Sequence, residues 1–279
     1  MNPNNPLKQY FRQPAIYIKL PSLGSYYPPG AINMPATGEI PVYPMTAIDE
    51  ITYRTPDALF NGQATVNVIQ SCVPDIKDAW AIPSCDVDTL LVAIRIATYG
   101  HEMEFHTACP ACKKDADHGL DLRSVLDSIK HSDYSKTIQS GDMEIYFKPM
   151  TYKNMNDNNQ LQFENQRLLQ ILPETEVPDT DKLTALSDAL RKITEITVDA
   201  LSQSIATIKT PQALVSEPEF IKELLMNCDR QLFNQIRDFI IDLKTRSEMQ
   251  PIRLVCPDCN HAYEQTLTLD MSSFFGSAS

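Results

Sequence analysis

The chain has 279 residues, of which 43% are hydrophobic, enough for one large or two ordinary folded domains. Its 24 basic and 36 acidic residues give a formal net charge of −12, which would repel nucleic-acid phosphates and anionic lipid headgroups. No apolar run has the length of a membrane-spanning helix, and none of the 8 glycines belongs to a dinucleotide- or phosphate-binding loop. We therefore expect no nucleic acid, no membrane span and no nucleotide.

The first 45 residues are predicted to form an extended, proline-rich arm with edge strands. Prolines interrupt short alternating stretches such as the one from Ile16 to Leu20. Residues 1–14 carry too little apolar surface to fold alone, so we expect them to order only on a neighbouring chain. The N-terminus lacks the pattern of a secretory signal, which predicts a reducing cytosol as the place of synthesis.

Residues 46–100 are predicted to form a small helical subdomain. Thr46 and Asp49 have the spacing of a capping box, and Thr55-Pro56 is expected to open a second short helix. Apolar residues recur at helical spacing between residues 86 and 99, and Gly100 follows them. This pattern predicts a helix that is buried nearly all round and ends at the glycine.

Two Cys-Pro-x-Cys motifs, CPAC at 109–112 and CPDC at 256–259, each lie between alternating stretches that predict β-hairpins. In a reducing compartment, two matched pairs of this spacing are typical of a closed structural zinc site with four thiolate ligands. The predicted ligands are Cys109, Cys112, Cys256 and Cys259. Residues 101–123 and 251–270 would then form one zinc ribbon, followed by a C-terminal tail at 271–279.

Two rival interpretations of these cysteines are weaker. A thiol redox pair would explain one motif and leave the other without a role, and a turn and strand follow each motif where a redox pair needs a helix. Catalytic zinc needs an open coordination position, which four cysteine ligands do not leave. Neither Ser-His-Asp spacing nor an HExxH motif is present, so the sequence does not predict an enzyme.

The remaining histidines and cysteines near these motifs carry weaker signals. His106, His118 and His261 could replace a cysteine or support the metal site from outside, but exposed hairpin histidines are the simpler interpretation. Three further cysteines lie in helical or apolar contexts, where free cysteines usually act as small buried hydrophobic residues; they are Cys72, Cys85 and Cys228.

Residues 124–250, between the two halves of the ribbon, are predicted to be a mainly helical insertion with one strand at 144–147. A stripe of apolar residues at helical spacing is expected to pack within the core or against another helix; it consists of Leu183, Leu186, Leu190 and Ile193. A second stripe predicts one helix from Ser216 to Lys244, opened by a capping box between Ser216 and Glu219. Its Phe233 and Ile240 flank is expected to face either the ribbon or another chain, and the second is favoured.

Part of the sequence resembles a known family. The matching features are Leu20-Pro21-Ser22, MTAIDE at 45–50, Asn61-Gly62, SCV at 71–73, and TLLVAIRIATYG at 89–100 running into CPAC, with CPDC later in the chain. In order and spacing they resemble the baseplate hub protein family of contractile-tailed, T-even-like bacteriophages. The resemblance covers residues 15–112 and the second cysteine motif.

The resemblance implies a virion protein of the tail baseplate, made in the host cytoplasm, whose partners are other baseplate and tail hub subunits. The predicted fold class is α+β: an extended arm, a small helical subdomain, a zinc ribbon from two distant knuckles, and a helical insertion. Two alternatives stay open at this point, an assembly chaperone absent from the virion and a zinc-ribbon regulatory protein. The acidic balance around the knuckles disfavours the zinc-ribbon regulator, because such a protein would have to bind nucleic acid.

Overall fold

The computed structural model describes residues 5–53, 62–131, 133–171 and 179–266, without the side chains of 8, 53, 168–171 and 179–183. These residues form two compact units, one within 1–79, 86–130 and 247–279, the other within 80–85 and 131–246. Small sheets and many helices make an α+β fold, as predicted. Among the described helices, none has both the length and the apolar character needed to cross a bilayer.

The first unit begins with a 3₁₀ helix at Pro6–Tyr10 and the antiparallel strands β1 (Ile16–Ile18) and β2 (Ile40–Val42). Helix α1 (Ala47–Tyr53) follows. Its predicted capping box is confirmed: Thr46 Oγ1 accepts the N–H of Asp49, and Asp49 Oδ2 accepts the N–H of Thr46. The helix predicted to begin at Thr55-Pro56 lies outside the described residues.

Arg12 fixes the N-terminal segment to its own unit. Its guanidinium donates to the backbone carbonyls of Pro44 and Ser71 at 2.5 and 2.6 Å, and it lies 3.4 Å from Asp49 Oδ2. These bonds join the segment to Pro44, two residues before the α1 cap at Thr46, and to the end of the next described helix. The expectation that residues 1–14 order only on another chain is therefore wrong for Arg12.

The core of the first unit is built around helix α2 (Gln63–Cys72) and the part of helix α3 (Ser84–Tyr99) from Asp86 onward. A 3₁₀ turn at Ala79–Ala81 precedes α3. Most α3 side chains from Cys85 to Arg95 are buried, as predicted. The helix ends where predicted, because Gly100 adopts φ 91°, a left-handed conformation that most residues avoid.

Two separate β-hairpins complete this unit. Strands β3 (Glu102–Ala108) and β4 (Asp115–Asp121) pair antiparallel and lead into helix α4 (Leu122–Ser128). Strands β9 (Ile252–Val255) and β10 (Ala262–Gln265) form the second hairpin near the end of the described chain. Each hairpin has one of the two cysteine motifs at its turn.

The second unit contains more β-structure than the sequence predicts. Strand β6 (Met143–Phe147) includes the predicted strand, but it lies inside a four-stranded antiparallel sheet of order β5-β6-β7-β8. The others are β5 (Thr137–Ser140), β7 (Ile205–Lys209) and β8 (Leu214–Val215). The helices are α5 (Tyr152–Ile171), α6 (Asp179–Ser204), α7 (Pro218–Asn227) and α8 (Arg230–Ser247).

Helices and sheet share one apolar core in this unit. Its members come from the turn before β5, from the sheet, from the end of α6, and from α7 and α8; they are Tyr134, Ile138, Ile145, Phe147, Val198, Leu201, Ile205, Ile208, Ile221, Leu225, Leu232, Ile236, Ile240 and Leu243. Burial of these side chains, rather than the local propensity of the short strands, stabilises the sheet.

The predicted helix from Ser216 to Lys244 is in fact two helices. The chain leaves helical geometry at Cys228, and Asp229 starts α8 by accepting the N–H of Leu232 at its Oδ1, at 2.8 Å. The predicted capping box at Ser216 is also wrong. Glu217 is the N-cap residue of α7 and makes no side-chain capping bond, while Pro218 occupies the first turn.

The burial of individual side chains differs from two predictions about apolar stripes. Leu186 and Leu190 are exposed on α6 and Ile193 is half-buried, so the described part of the Leu183 to Ile193 stripe does not lie in the core. Ile240, predicted to face another chain, is buried in the core of the second unit, and Phe233 packs against that core. Phe220, by contrast, is 60% exposed on α7.

Candidate metal centre

The two cysteine motifs form turns of the same geometry, here called knuckle 1 (residues 109–114) and knuckle 2 (residues 256–261). In knuckle 1 the N–H of Lys113 donates to the carbonyl of Cys109, and the N–H of Cys109 donates to the carbonyl of Lys114. In knuckle 2 the N–H of Asn260 donates to the carbonyl of Cys256, and the N–H of Cys256 donates to the carbonyl of His261. All four distances are 2.9 or 3.0 Å, so the two knuckles are close structural copies.

The residue after each second cysteine is left-handed. Lys113 has φ 62° and Asn260 has φ 56°. Asparagine tolerates this conformation, whereas lysine adopts it at a cost of about 1 kcal/mol or more. The turn requires the left-handed conformation because the chain must reverse within a few residues while both sulfurs stay on one side.

The knuckles bring the four predicted sulfurs together. Cys109 Sγ lies 3.7 Å from Cys259 Sγ, Cys112 Sγ lies 3.7 Å from Cys256 Sγ, and all four sulfurs lie within 4.8 Å of one another. A regular tetrahedron of sulfurs with metal bonds of about 2.3 Å has edges of about 3.8 Å. The spacing fits one tetrahedrally coordinated ion and is too long for disulfide bonds.

The electrostatic surroundings differ among the four thiols. Cys109 and Cys256 are fully buried, Cys112 is half-buried and Cys259 is exposed. Backbone N–H groups of Cys112 and Ala111 point at the Cys109 sulfur, and the Cys112 amide contributes most to lowering the pKa of Cys109 to about 7. At Cys259 the N–H of His261 favours the thiolate, but desolvation and the three neighbouring sulfurs outweigh it and raise the pKa to about 12.

These opposed shifts have a chemical consequence. Four thiolates this close repel one another, so the group cannot be fully ionised unless a cation lies among them. A divalent metal ion would supply that charge and favour release of the remaining protons.

Contacts outside the sulfurs also join the two hairpins. Thr107 Oγ1 donates to Gln265 Oε1 at 3.2 Å, and His118 Nε2 lies 3.1 Å from Tyr263 OH. Nζ of Lys114 donates to Oδ1 of Asp258 at 3.0 Å, between the two knuckles. The zinc ribbon predicted from the sequence did not include this ion pair. No local pattern indicates it, because partners 144 positions apart become neighbours only when the knuckles meet.

The three nearby histidines do not belong to the sulfur cluster of the described residues. His106 pairs with Asp117 across the β3–β4 hairpin, His118 contacts Tyr263, and His261 stacks on the same tyrosine ring.

Of the other cysteines, Cys72 and Cys85 are buried and Cys228 is half-buried, far from this cluster in sequence. Burial raises the pKa of Cys72 to about 12, which keeps it a protonated thiol.

The sequence model for the T4 bacteriophage base plate protein matches residues 33–276, which is most of the chain and includes both knuckles. The chain belongs to this family. Comparisons with curated proteins and with solved structures gave no significant match. The resemblance seen in the sequence is thus confirmed at the level of a T4-like baseplate protein. Residues 1–32, which carry Leu20-Pro21-Ser22, lie outside the matched range.

Proposed function

We propose that this baseplate protein is a structural subunit of a contractile phage tail, at or next to the hub of the baseplate. The family match over residues 33–276 is the observation that carries the proposal. The chain would act through contacts with other baseplate and tail hub subunits and would catalyse no reaction. It would be made in the host cytoplasm and end in the virion.

We further propose that Cys109, Cys112, Cys256 and Cys259 hold one structural zinc ion. The sulfur spacing supports a tetrahedral ion, and a shell of four thiolates leaves no position for substrate. Zinc and iron both accept such a shell, and the choice of zinc rests on its frequency in paired knuckles of this spacing. The ion would hold together residues 101–123 and 251–270, the two halves of the proposed ribbon domain.

The surface of the β3–β4 hairpin supports protein partners over nucleic acid. Acidic side chains dominate its exposed face; they are Glu102, Glu104, Asp115 and Asp117. Such a face would repel a phosphate backbone, which a zinc-ribbon regulator would have to bind.

Mass spectrometry of purified particles tests the proposed location. We expect the chain in gradient-purified virions at a fixed ratio to other tail proteins. If the chain is present in infected cells but absent from particles, it is instead an assembly chaperone. Cross-linking within the particles would then identify the neighbouring subunits and decide whether they belong to the hub.

A further inference from the structure

The loop from Leu20 to Gly30 is held at its base by one buried carboxylate. Asp86, in the first turn of α3, is fully buried and accepts three hydrogen bonds from this loop. The N–H and hydroxyl of Ser22 donate to it at 2.7 and 2.5 Å, and the hydroxyl of Tyr27 donates at 2.9 Å. Three hydrogen bonds to one buried side chain fix the two ends of the segment 22–27, because breaking any of them would leave a buried polar group without its partner.

The top of the loop is also packed and hydrogen-bonded. The N–H of Leu23 donates to Leu20 at 2.9 Å, and the N–H of Ser25 donates to Ser22 at 3.0 Å. Gly24 lies so close to Met34 that a Cβ atom there would come within 2.6 Å of Met34 Cγ. The loop therefore has one well-determined conformation.

That conformation is unfavourable for two of its residues. Leu23 has φ 55° and Tyr26 has φ 69°, in the left-handed region that bulky side chains avoid. Burial of the side chains does not compensate, because Leu23 is 62% exposed and Tyr26 is 43% exposed. Strain of this kind persists only where the surrounding structure imposes it, and it concentrates at functional positions.

We propose that Leu23 and Tyr26 form a preorganised apolar knob that inserts into an apolar pocket of a neighbouring baseplate subunit. This inference rests on the proposed structural function. Residues 20–30 include no charged side chain, although the chain as a whole carries −12. A neutral surface segment with an exposed leucine and an exposed tyrosine suits the core of a protein interface, where charged residues are depleted and tyrosine is enriched. Fixing the loop beforehand lowers the entropic cost of binding.

The test is the double variant Leu23→Asn/Tyr26→Asn, supplied in trans to the phage whose own copy of the gene is inactivated. Asparagine tolerates the left-handed conformation, so the isolated variant should melt at or above the wild-type temperature with its metal retained. Its incorporation into purified particles, measured by mass spectrometry, should fall at least about tenfold. Leu214→Asn is the matched control: it removes a leucine that is 69% exposed in β8 and should incorporate normally.

The conservative variant Leu23→Met/Tyr26→Phe should restore incorporation, since it keeps the apolar volume. Normal incorporation of the double asparagine variant would overturn the proposal. So would a lowered melting temperature, because the two side chains would then serve the fold of the isolated chain. If the wild-type chain itself is absent from particles, the proposed structural function fails, and this outcome is distinct from a failure of the knob alone.

Discussion

Lys114 of knuckle 1 and Asp258 of knuckle 2 form an ion pair, with Nζ of the lysine 3.0 Å from Oδ1 of the aspartate. Asp258 raises the pKa of Lys114, and the Cys112 and Cys256 thiols act in the same direction. The lysine is therefore a permanent positive charge beside a cluster that becomes negative when it binds a metal. Both side chains are largely exposed, which limits what the pair contributes in water.

Removing this ion pair should change the stability of the metal-bound protein only slightly. We expect Lys114→Ala and Asp258→Ala to show weak coupling in a double-mutant cycle, and the coupling should disappear in high salt because the charges are exposed. Thermal melting at low and high salt measures this. The exposed pair Arg253 and Glu264 serves as a control of similar type. Strong, salt-resistant coupling would mean that the pair, rather than the metal, holds the knuckles together.

Purified protein should contain about one zinc ion per chain by elemental analysis, because four thiolates close one tetrahedral shell. Cys256→Ser should lose the ion and more than about 4 kcal/mol of unfolding free energy, since metal binding contributes directly to folding. Cys228→Ser changes a thiol outside the cluster and should keep the ion. Metal-free protein of unchanged stability would contradict the proposed site, and bound iron would correct its identity.

Arg12→Ala should destabilise the isolated protein by about 2 kcal/mol or more, because it leaves the carbonyls of Pro44 and Ser71 without their charged donor. Urea unfolding of the full chain measures the loss. Arg237 pairs with the adjacent Asp238 on the surface, so Arg237→Ala is the matched control and should cost little. Equal stability of the two variants would show that the N-terminal segment is not anchored through Arg12.

Asp88 should make stability depend on pH in the mildly acidic range. Desolvation raises its pKa to about 6, the charge of Glu248 adds to the shift, and a bond from the Met249 backbone partly opposes it. A pKa raised in the folded state means that protonation favours folding. Stability should therefore fall as the pH rises from about 4, near the ordinary pKa of an aspartate, to about 6, and change little above that. Asp88→Asn keeps an acceptor for Met249 and should remove this dependence, giving a higher melting temperature at pH 8. An identical pH profile for both proteins would refute the assignment.

Phe233→Asp should destabilise the isolated protein by about 2 kcal/mol or more, because Phe233 packs against the core of the second unit. Phe220→Asp makes the same chemical change at an exposed position of α7 and should stay within about 0.5 kcal/mol of wild type. Denaturant unfolding of both variants measures the difference. If Phe233→Asp folds normally and only assembly is lost, Phe233 faces another chain.

Several features of the fold follow from local sequence alone. The capping box of Thr46 and Asp49, the end of α3 at Gly100 and the two knuckles were all predictable, and the structure contains each of them. In each case residues a few positions apart determine the backbone path, through a side-chain cap, a left-handed glycine or a tight turn. The α+β class followed from the same local patterns.

Other features were decided only by contacts between distant residues. The sequence could not show that Ile205–Lys209 and Thr137–Ser140 flank β6, because short strands gain their stability from the neighbours they pair with. It also could not separate exposed Leu190 from buried Ile240, since both repeat at helical spacing and only the partner element decides which face is covered. The cysteine motifs indicated four ligands, but only folding brings Cys109 to 3.7 Å from Cys259. Sequence thus determines the local geometry of each knuckle, and tertiary packing makes them one site.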